Sequence, residues 1–337
     1  MKEKLRAAQS VTVHELRDFV PTLFAEGYVT SLIHGNFYRE EAEHIASLLE
    51  EPFKTSELSA TQMTRIRSLA LPSGSKLRVH LPAFNDQEEN CAATVSYQLG
   101  PDTLYYRAMG DVLSQLMEEP VFNVLRTQQA LGYIVQTVKQ PQNGQVTLHI
   151  IIQSNKVDSL ELQKRVLQFV DGFHEHLEGM EEETFNAHIS SLVAEELKSD
   201  KNLAEEIMRA WRQVDSLRFQ FNEPIDTAKF LSSVDKKQLL EFFMENIHAS
   251  GSKTKRVSVL IRSGNENGND DESSKGCLRV SEAINKWYAG LPSSEIEGND
   301  DTEVLVQTRE EIDLLRLSLP VLPDLGEFHM GNFRNSQ

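Results

Sequence analysis

Glu119-Pro120-Val-Phe122-Asn-Val-Leu-Arg126-Thr-Gln-Gln-Ala-Leu-Gly132-Tyr133-Ile-Val135 reads as a short helix that breaks near Gly132 and turns directly into an apolar strand. Arg126 and Tyr133 stand seven residues apart, one before the break and one after it. A guanidinium at a helix end and a phenol at a strand start can aim two hydrogen-bond donors at one point in space. Such a pair suits a carbonyl-rich ligand, for example an extended peptide backbone. Taken singly, Arg126 is ordinarily a helix-end residue paired with a carboxylate, and Tyr133 a strand aromatic with its hydroxyl in solvent.

The pattern continues outward from this break. Upstream, Cys91–Leu99 alternates Cys91, Ala93, Val95, Tyr97 and Leu99 against Ala92, Thr94, Ser96 and Gln98, the signature of a half-buried strand. A helix starts at Pro101-Asp102 and runs through Met117. Downstream, strands over 132–139 and 145–153 flank Asn143-Gly144, a strong hairpin signal. Three long helical patterns follow, over about 158–177, 181–199 and 202–221. Strands followed by a block of helices give an α+β fold: a largely antiparallel mixed sheet with helices packed on one face.

Nearer the start, Thr12 can cap a helix, Glu15 can return the bond, and Val11 can pack on Leu16. That helix carries Leu16, Phe19, Val20, Leu23 and Phe24 on one face, with Pro21 as a kink. A strand over 28–34, a Gly35-Asn36 turn and a helix over 39–51 follow. A helix from Ser233 and a strand over 257–262 ending at Gly264-Asn265 repeat that order, and Leu32-Ile33 aligns with Leu260-Ile261. Gly35 and Gly264 lie about one domain length apart. We therefore expect residues 1–55 to be the end of one structural unit, 56–75 a linker with turn chemistry at Leu71-Pro72-Ser73-Gly74, and 76–325 a complete unit of the same kind. Residues 326–337 read as a loose tail.

The 337 residues, 39% hydrophobic and 25% charged, are ordinary for a globular protein with a sizeable core. A formal charge of −17 argues against nucleic acid and against an anionic membrane surface. No apolar run approaches a membrane span, and the first twenty residues hold no apolar signal core. Two distant cysteines, Cys91 and Cys277, form no disulfide framework, which makes a reducing, cytoplasmic location the expectation. Cys91, in the alternating strand, reads as a small buried hydrophobe.

No metal site is expected. Glu40-Glu41-Ala42-Glu43-His44 has a glutamate where a zinc-binding helix would need its first histidine, and reads as a solvated face. His174 and His176, two apart on a helix, point in different directions, and His188 has no supporting cluster. Glu181-Glu182-Glu183 suits the first turn of a helix. The acidic segments 265–275 and 293–301 read as solvated loops.

The 119–135 stretch resembles the substrate-recognition segment of the insulin-degrading enzyme and nardilysin branch of the inverzincin, or pitrilysin-type, zinc metallopeptidases. That family's pattern, roughly E-P-x-F-x-x-L-R-T-x-x-x-L-G-Y-x-V, is matched at Glu119, Pro120, Phe122, Leu125, Arg126, Thr127, Leu131, Gly132, Tyr133 and Val135. Gln128-Gln129-Ala130 departs from the usual Lys-Glu-Gln, a change that removes charge but touches neither donor. The family is built from four related units, and its pattern sits in the last. The resemblance implies that Tyr133 donates to the carbonyl at the scissile bond, as the catalytic contact. It also implies that Arg126 holds a neighbouring backbone carbonyl and that Phe122 lines a side-chain pocket.

The family's H-x-x-E-H zinc motif is absent from this sequence. The resemblance therefore implies a C-terminal, substrate-binding half of a zinc metalloendopeptidase, closing a peptide chamber and inactive by itself. Zinc would belong to an N-terminal half, so no cofactor is expected in this chain. The implied partners are that half and peptide substrates, with a homodimer as an open alternative. A stand-alone peptide-binding or scaffolding protein of the same fold is the competing reading.

Overall fold

β4 (Cys91–Pro101) buries Cys91, Ala93, Val95, Tyr97 and Leu99 and leaves the residues between them half-exposed, as its alternation dictates. It is the third strand of a seven-stranded sheet in a computed structural model that describes residues 2–27, 29–53, 56–58, 66–264, 277–288 and 303–320. The expected acidic loops at 265–275 and 293–301, and the tail at 326–337, lie outside the described residues.

The other strands are β3 (Lys76–Pro82), β5 (Ile134–Gln142), β6 (Gln145–Ser154), β7 (Arg256–Arg262), β8 (Leu278–Arg279) and β9 (Val304–Val306). They lie in the order β5-β6-β4-β7-β3-β9-β8. The first four pair antiparallel; β7/β3, β3/β9 and β9/β8 pair parallel. The β5–β6 turn places Asn143 at φ 52° and Gly144 at φ 82°, the pair of positive angles that an Asn-Gly hairpin supplies cheaply.

Helices α4 (Leu104–Val121), α5 (Ser159–Gly179), α6 (Glu182–Glu196) and α9 (Lys236–Asn246) build the main core on one face, with α8 (Glu223–Leu231) packed beside α4 and α6. Leu148, Ile150 and Ile152 of β6 are fully buried there. Each such side chain is worth about 1.5–3 kcal/mol in area removed from water. A second cluster joins Leu77, Val304 and Val306 to α10 (Val280–Tyr288) and α11 (Arg309–Ser318). Leu77 pairs with Val257, which alternates with the main-core residue Leu260, so α10 and α11 cover the opposite face at the β9 end.

Glu303 enters β9 inside a buried ionic cluster. Its carboxylate accepts from Arg256 and Arg78, and from Gln163 Nε2 of α5 at 2.8 Å. Side-chain exposure of 5% for both Glu303 and Arg256 means that each depends on its partners for solvation. The neighbouring Tyr97 phenol is pushed well up by burial.

Contacts along the chain divide it into two units, Met1–Ile66 with Asp200–Asp215, and Arg67–Ser199 with Ser216–Gln337. The first holds α1 (Lys2–Ser10), α2 (Val13–Leu23), α3 (Arg39–Phe53), a two-residue parallel pair of β1 (Glu26–Gly27) with β2 (Ser56–Glu57), and α7 (Leu203–Asp215). The expected capping box is present: Glu15 N donates to Thr12 Oγ1 at 3.2 Å and Thr12 N to Glu15 Oε2 at 2.8 Å. Those bonds hold the Glu15 carboxyl below its usual range. The strand expected over 28–34 does not form among the described residues 29–34. The single helix expected over 202–221 ends at Asp215, because Leu217 (φ 58°) and Phe219 (φ 53°) are left-handed. Arg218 pins that turn through Asp102 Oδ2 at 3.2 Å and Glu223 Oε2 at 3.3 Å. No described helix is long and apolar enough to cross a membrane.

Candidate functional site

The helix before the break is longer than its sequence suggests. α4 runs through Pro120 to Val121 and passes without interruption into a π-helix, Phe122–Gln128. Pro120 has no N–H for the preceding turn, and its ring crowds the carbonyl four residues back. The widened turn begins two residues after this proline, and π-turns of this kind cluster at functional sites. The widened register is visible where Gln129 N donates to Val124 O, five residues back, at 3.0 Å.

The stop is built from backbone. Leu131 N reaches Leu125 O at 3.0 Å across Ala130, whose φ of 50° is left-handed, and Leu125 and Leu131 are both buried. This satisfies the last carbonyls and reverses the chain, as in a glycine-ended helix, but with an alanine at the strained position. Gly132 then brings the chain hard against β6. A Cβ built on Gly132 would lie 1.8 Å from the Gln153 carbonyl oxygen, so no other residue fits without moving one strand.

These constraints bring the three residues singled out in the sequence together. The Arg126 guanidinium carbon sits 4.6 Å from the Phe122 ring centre and 4.9 Å from the Tyr133 ring centre. Cation–π attraction of about 0.5–1 kcal/mol per exposed ring holds this stack. Phe122 is 43% and Tyr133 83% exposed, so both rings present their outer surfaces to solvent. Among the described residues neither the Arg126 guanidinium nor the Tyr133 hydroxyl has a hydrogen-bond or ion-pair partner. The ordinary arrangement, an arginine neutralised by a nearby carboxylate, is not the one found. A stacked guanidinium keeps its in-plane N–H edge free, and beside it stands a free phenol.

The histidines and acids do not converge. Among the described residues no three His, Cys, Asp or Glu side chains are grouped to hold a metal ion. Glu43 accepts from Arg39 Nε at 2.8 Å, His176 stacks on Phe173, and His174 lies against the Asp171 carbonyl and the His248 ring. The donors of the described residues do not fit a zinc centre. Cys91 is buried, with its thiol donating to the Val157 carbonyl.

The Arg126/Tyr133 pair was visible in the sequence. The π-turn was signalled only by Pro120 inside a helical pattern, and the close approach at Gly132 by the glycine alone.

Comparison with known proteins places this geometry. A family model described as PQQ synthase PqqF-like, C-terminal lobe domain 4, matches residues 112–211, which include the π-turn and the stack. Insulin-degrading enzyme of Homo sapiens is 28% identical over 265 residues, 77% of this chain and 26% of the enzyme. Nardilysin of Homo sapiens is 27% identical over 252 residues, 74% of this chain and 22% of that protein. The chain thus spans about a quarter of the length of these relatives. The crystal structure of pitrilysin superposes on 95% of this chain and 30% of its own, with a TM-score of 0.70 at 15% identity, which shows a common fold.

Proposed function

We propose that this chain, a homologue of the C-terminal portion of the insulin-degrading enzyme and nardilysin branch of the pitrilysin-type zinc metallopeptidases, is the substrate-binding half of a peptide hydrolase. In this reading it forms the far wall of a chamber whose zinc, water and general base come from an N-terminal half. The observation that carries the proposal is the Phe122–Arg126–Tyr133 stack, whose two donor groups have no hydrogen-bond or ion-pair partner among the described residues. The Tyr133 hydroxyl donates to the carbonyl oxygen of the scissile bond. A neutral phenol suits that role, since it stabilises a developing oxyanion without a charge in the ground state. Arg126 donates to a neighbouring carbonyl, present before and during reaction, and Phe122 packs against a substrate side chain.

The test joins this chain to a zinc-bearing N-terminal half and follows cleavage of a quenched fluorescent peptide. Tyr133→Phe keeps ring and stack and removes one hydroxyl. It should lower kcat by about 10²–10³ with little change in KM, the cost of one oxyanion donor. Arg126→Ala should both raise KM and lower kcat. Parental turnover in the Tyr133→Phe enzyme would reduce Tyr133 to a strand aromatic and end the proposal.

A further inference from the structure

The widened turn that carries Phe122 and Arg126 also contributes to a second concavity, in which neither of those residues nor Tyr133 takes part. Asn123 and Val124 line a groove of about 550 Å³ bounded by the end of α4, the end of α5 and the first turns of α6. Its floor is apolar: Leu116 is buried, and Val124 and Met180 are half-buried. Its rim is acidic. Glu119, Glu175 and Glu181 come from three different elements, all three are exposed, and none has an ion-pair partner among the described residues. The less exposed acids of this unit are matched, as Asp102 and Glu223 are by Arg107 and Arg218.

Three carboxylates around an apolar floor give the rim a negative field, to which a cationic ligand is complementary. Gly179 lines the groove, and a Cβ placed there would meet no atom within 4 Å. A volume of about 550 Å³ over an apolar floor suits a cation that is bulky and partly apolar. His176 and His188 also line it, and no described group of side chains forms a metal site.

We infer that this groove is a docking site for a basic peptide segment, in which an apolar side chain sits on Leu116, Val124 and Met180 while flanking lysine or arginine groups meet Glu119, Glu175 and Glu181. Charge complementarity selects the occupant. The long aliphatic stems of lysine and arginine cover apolar surface while their heads reach the rim. The inference stands apart from the role assigned to Arg126 and Tyr133, because the two sets of residues do not overlap.

The probe is a fluorophore-labelled, acetylated and amidated Lys-Leu-Arg-Leu-Lys peptide, titrated with the full chain and read by anisotropy. The same peptide with glutamate at its three basic positions serves as control. Binding of the basic peptide only, weakening in high salt, is expected. The Glu119→Gln, Glu175→Gln and Glu181→Gln changes together should weaken it about tenfold, the sum of three exposed ion pairs. Gly179→Phe, at a position where a Cβ meets open space, should abolish binding while leaving the circular dichroism melt in place. Glu310→Gln, at an exposed acid outside the groove, should leave binding unchanged. The inference is overturned if neither groove variant alters binding, if Glu310→Gln weakens it as much as the groove changes do, or if the basic peptide does not bind. It is equally overturned if sedimentation shows a dimer that Gly179→Phe dissociates, which would give the groove to a second copy.

Discussion

Two amphipathic patterns of similar strength meet opposite fates in this molecule. In the larger unit, β4 and β6 bury every alternate residue beneath α4, α5 and α9. In the smaller unit, α2 has a complete capping box and a clear apolar face, yet none of its residues is buried. Val13, Leu16, Phe19 and Leu23 each keep more than half of their surface in solvent. Capping contributes about 1 kcal/mol to either helix, but burial contributes that much for every few methyl groups. The difference teaches that a sequence pattern specifies which face wants a partner, whereas stability comes only where the partner is present.

The largest effect expected from this contrast is in amide hydrogen exchange. Amides of α2 should exchange at least about 10³-fold faster than those of β4 and β6, because helices without buried apolar contacts open locally while core strands open only with the whole unit. Mass spectrometry of peptides from 12–24 and 91–99 reads this directly. Equal protection would mean that the exposed face of α2 is covered in solution.

A second measurement breaks burial in the well-packed unit. Glu303→Ala leaves Arg256 buried without its counter-charge and removes the side-chain ties to Arg78 of β3 and Arg256 of β7. Loss of one partner of a buried pair costs about 3–5 kcal/mol, which urea unfolding would record as a lower midpoint. A change below about 1 kcal/mol would show that water enters this cluster freely.

Gly132→Ala is a subtler break. It forces the start of β5 away from the Gln153 carbonyl, at a cost of about 1–3 kcal/mol, and moves Tyr133 with it. The Arg126 side-chain protons should then lose the ring-current shift that Tyr133 imposes. If that shift persists, Tyr133 is positioned by its ring contact and not by the strand.

The smallest effect is a pH dependence. His149, on the face of the sheet away from α4 and α5, sits 2.8 Å from Ser96 Oγ, and burial lowers its pKa below the usual 6.5. A base with a depressed folded-state pKa contributes stability above its unfolded value, and that contribution is lost as pH falls through the folded value. Thermal melts should therefore fall as pH drops below about 6.5, and His149→Gln should flatten that part of the slope. An unchanged slope would place the titration elsewhere.

Local chemistry made much of this legible in advance. The Thr12/Glu15 cap, the Cys91–Leu99 alternation and the Asn143-Gly144 hairpin each depend on neighbours within a few positions, and each formed as the residues suggest. The helix expected over 202–221 failed for the opposite reason. Its apolar period continues past Asp215, but Arg218 is drawn to Asp102, more than a hundred positions away, and the chain turns.

By itself the sequence determined the α+β class, the antiparallel core of the sheet, and the pairing of Arg126 with Tyr133 across a helix-to-strand break. Those follow from periodicity, turn chemistry and a motif whose spacing survives intact. Only the tertiary structure decided that β3 and β9 extend the sheet in parallel, that α10 and α11 cover its other face, and that Arg126 stacks on Phe122 and Tyr133 with no carboxylate partner among the described residues. The reason is physical: parallel pairing, face selection and ring stacking are fixed by residues far apart in the chain, whose approach no local pattern records. The Gly132 contact with Gln153 is the clearest instance, a position where one absent methyl group sets how two strands and a candidate site meet.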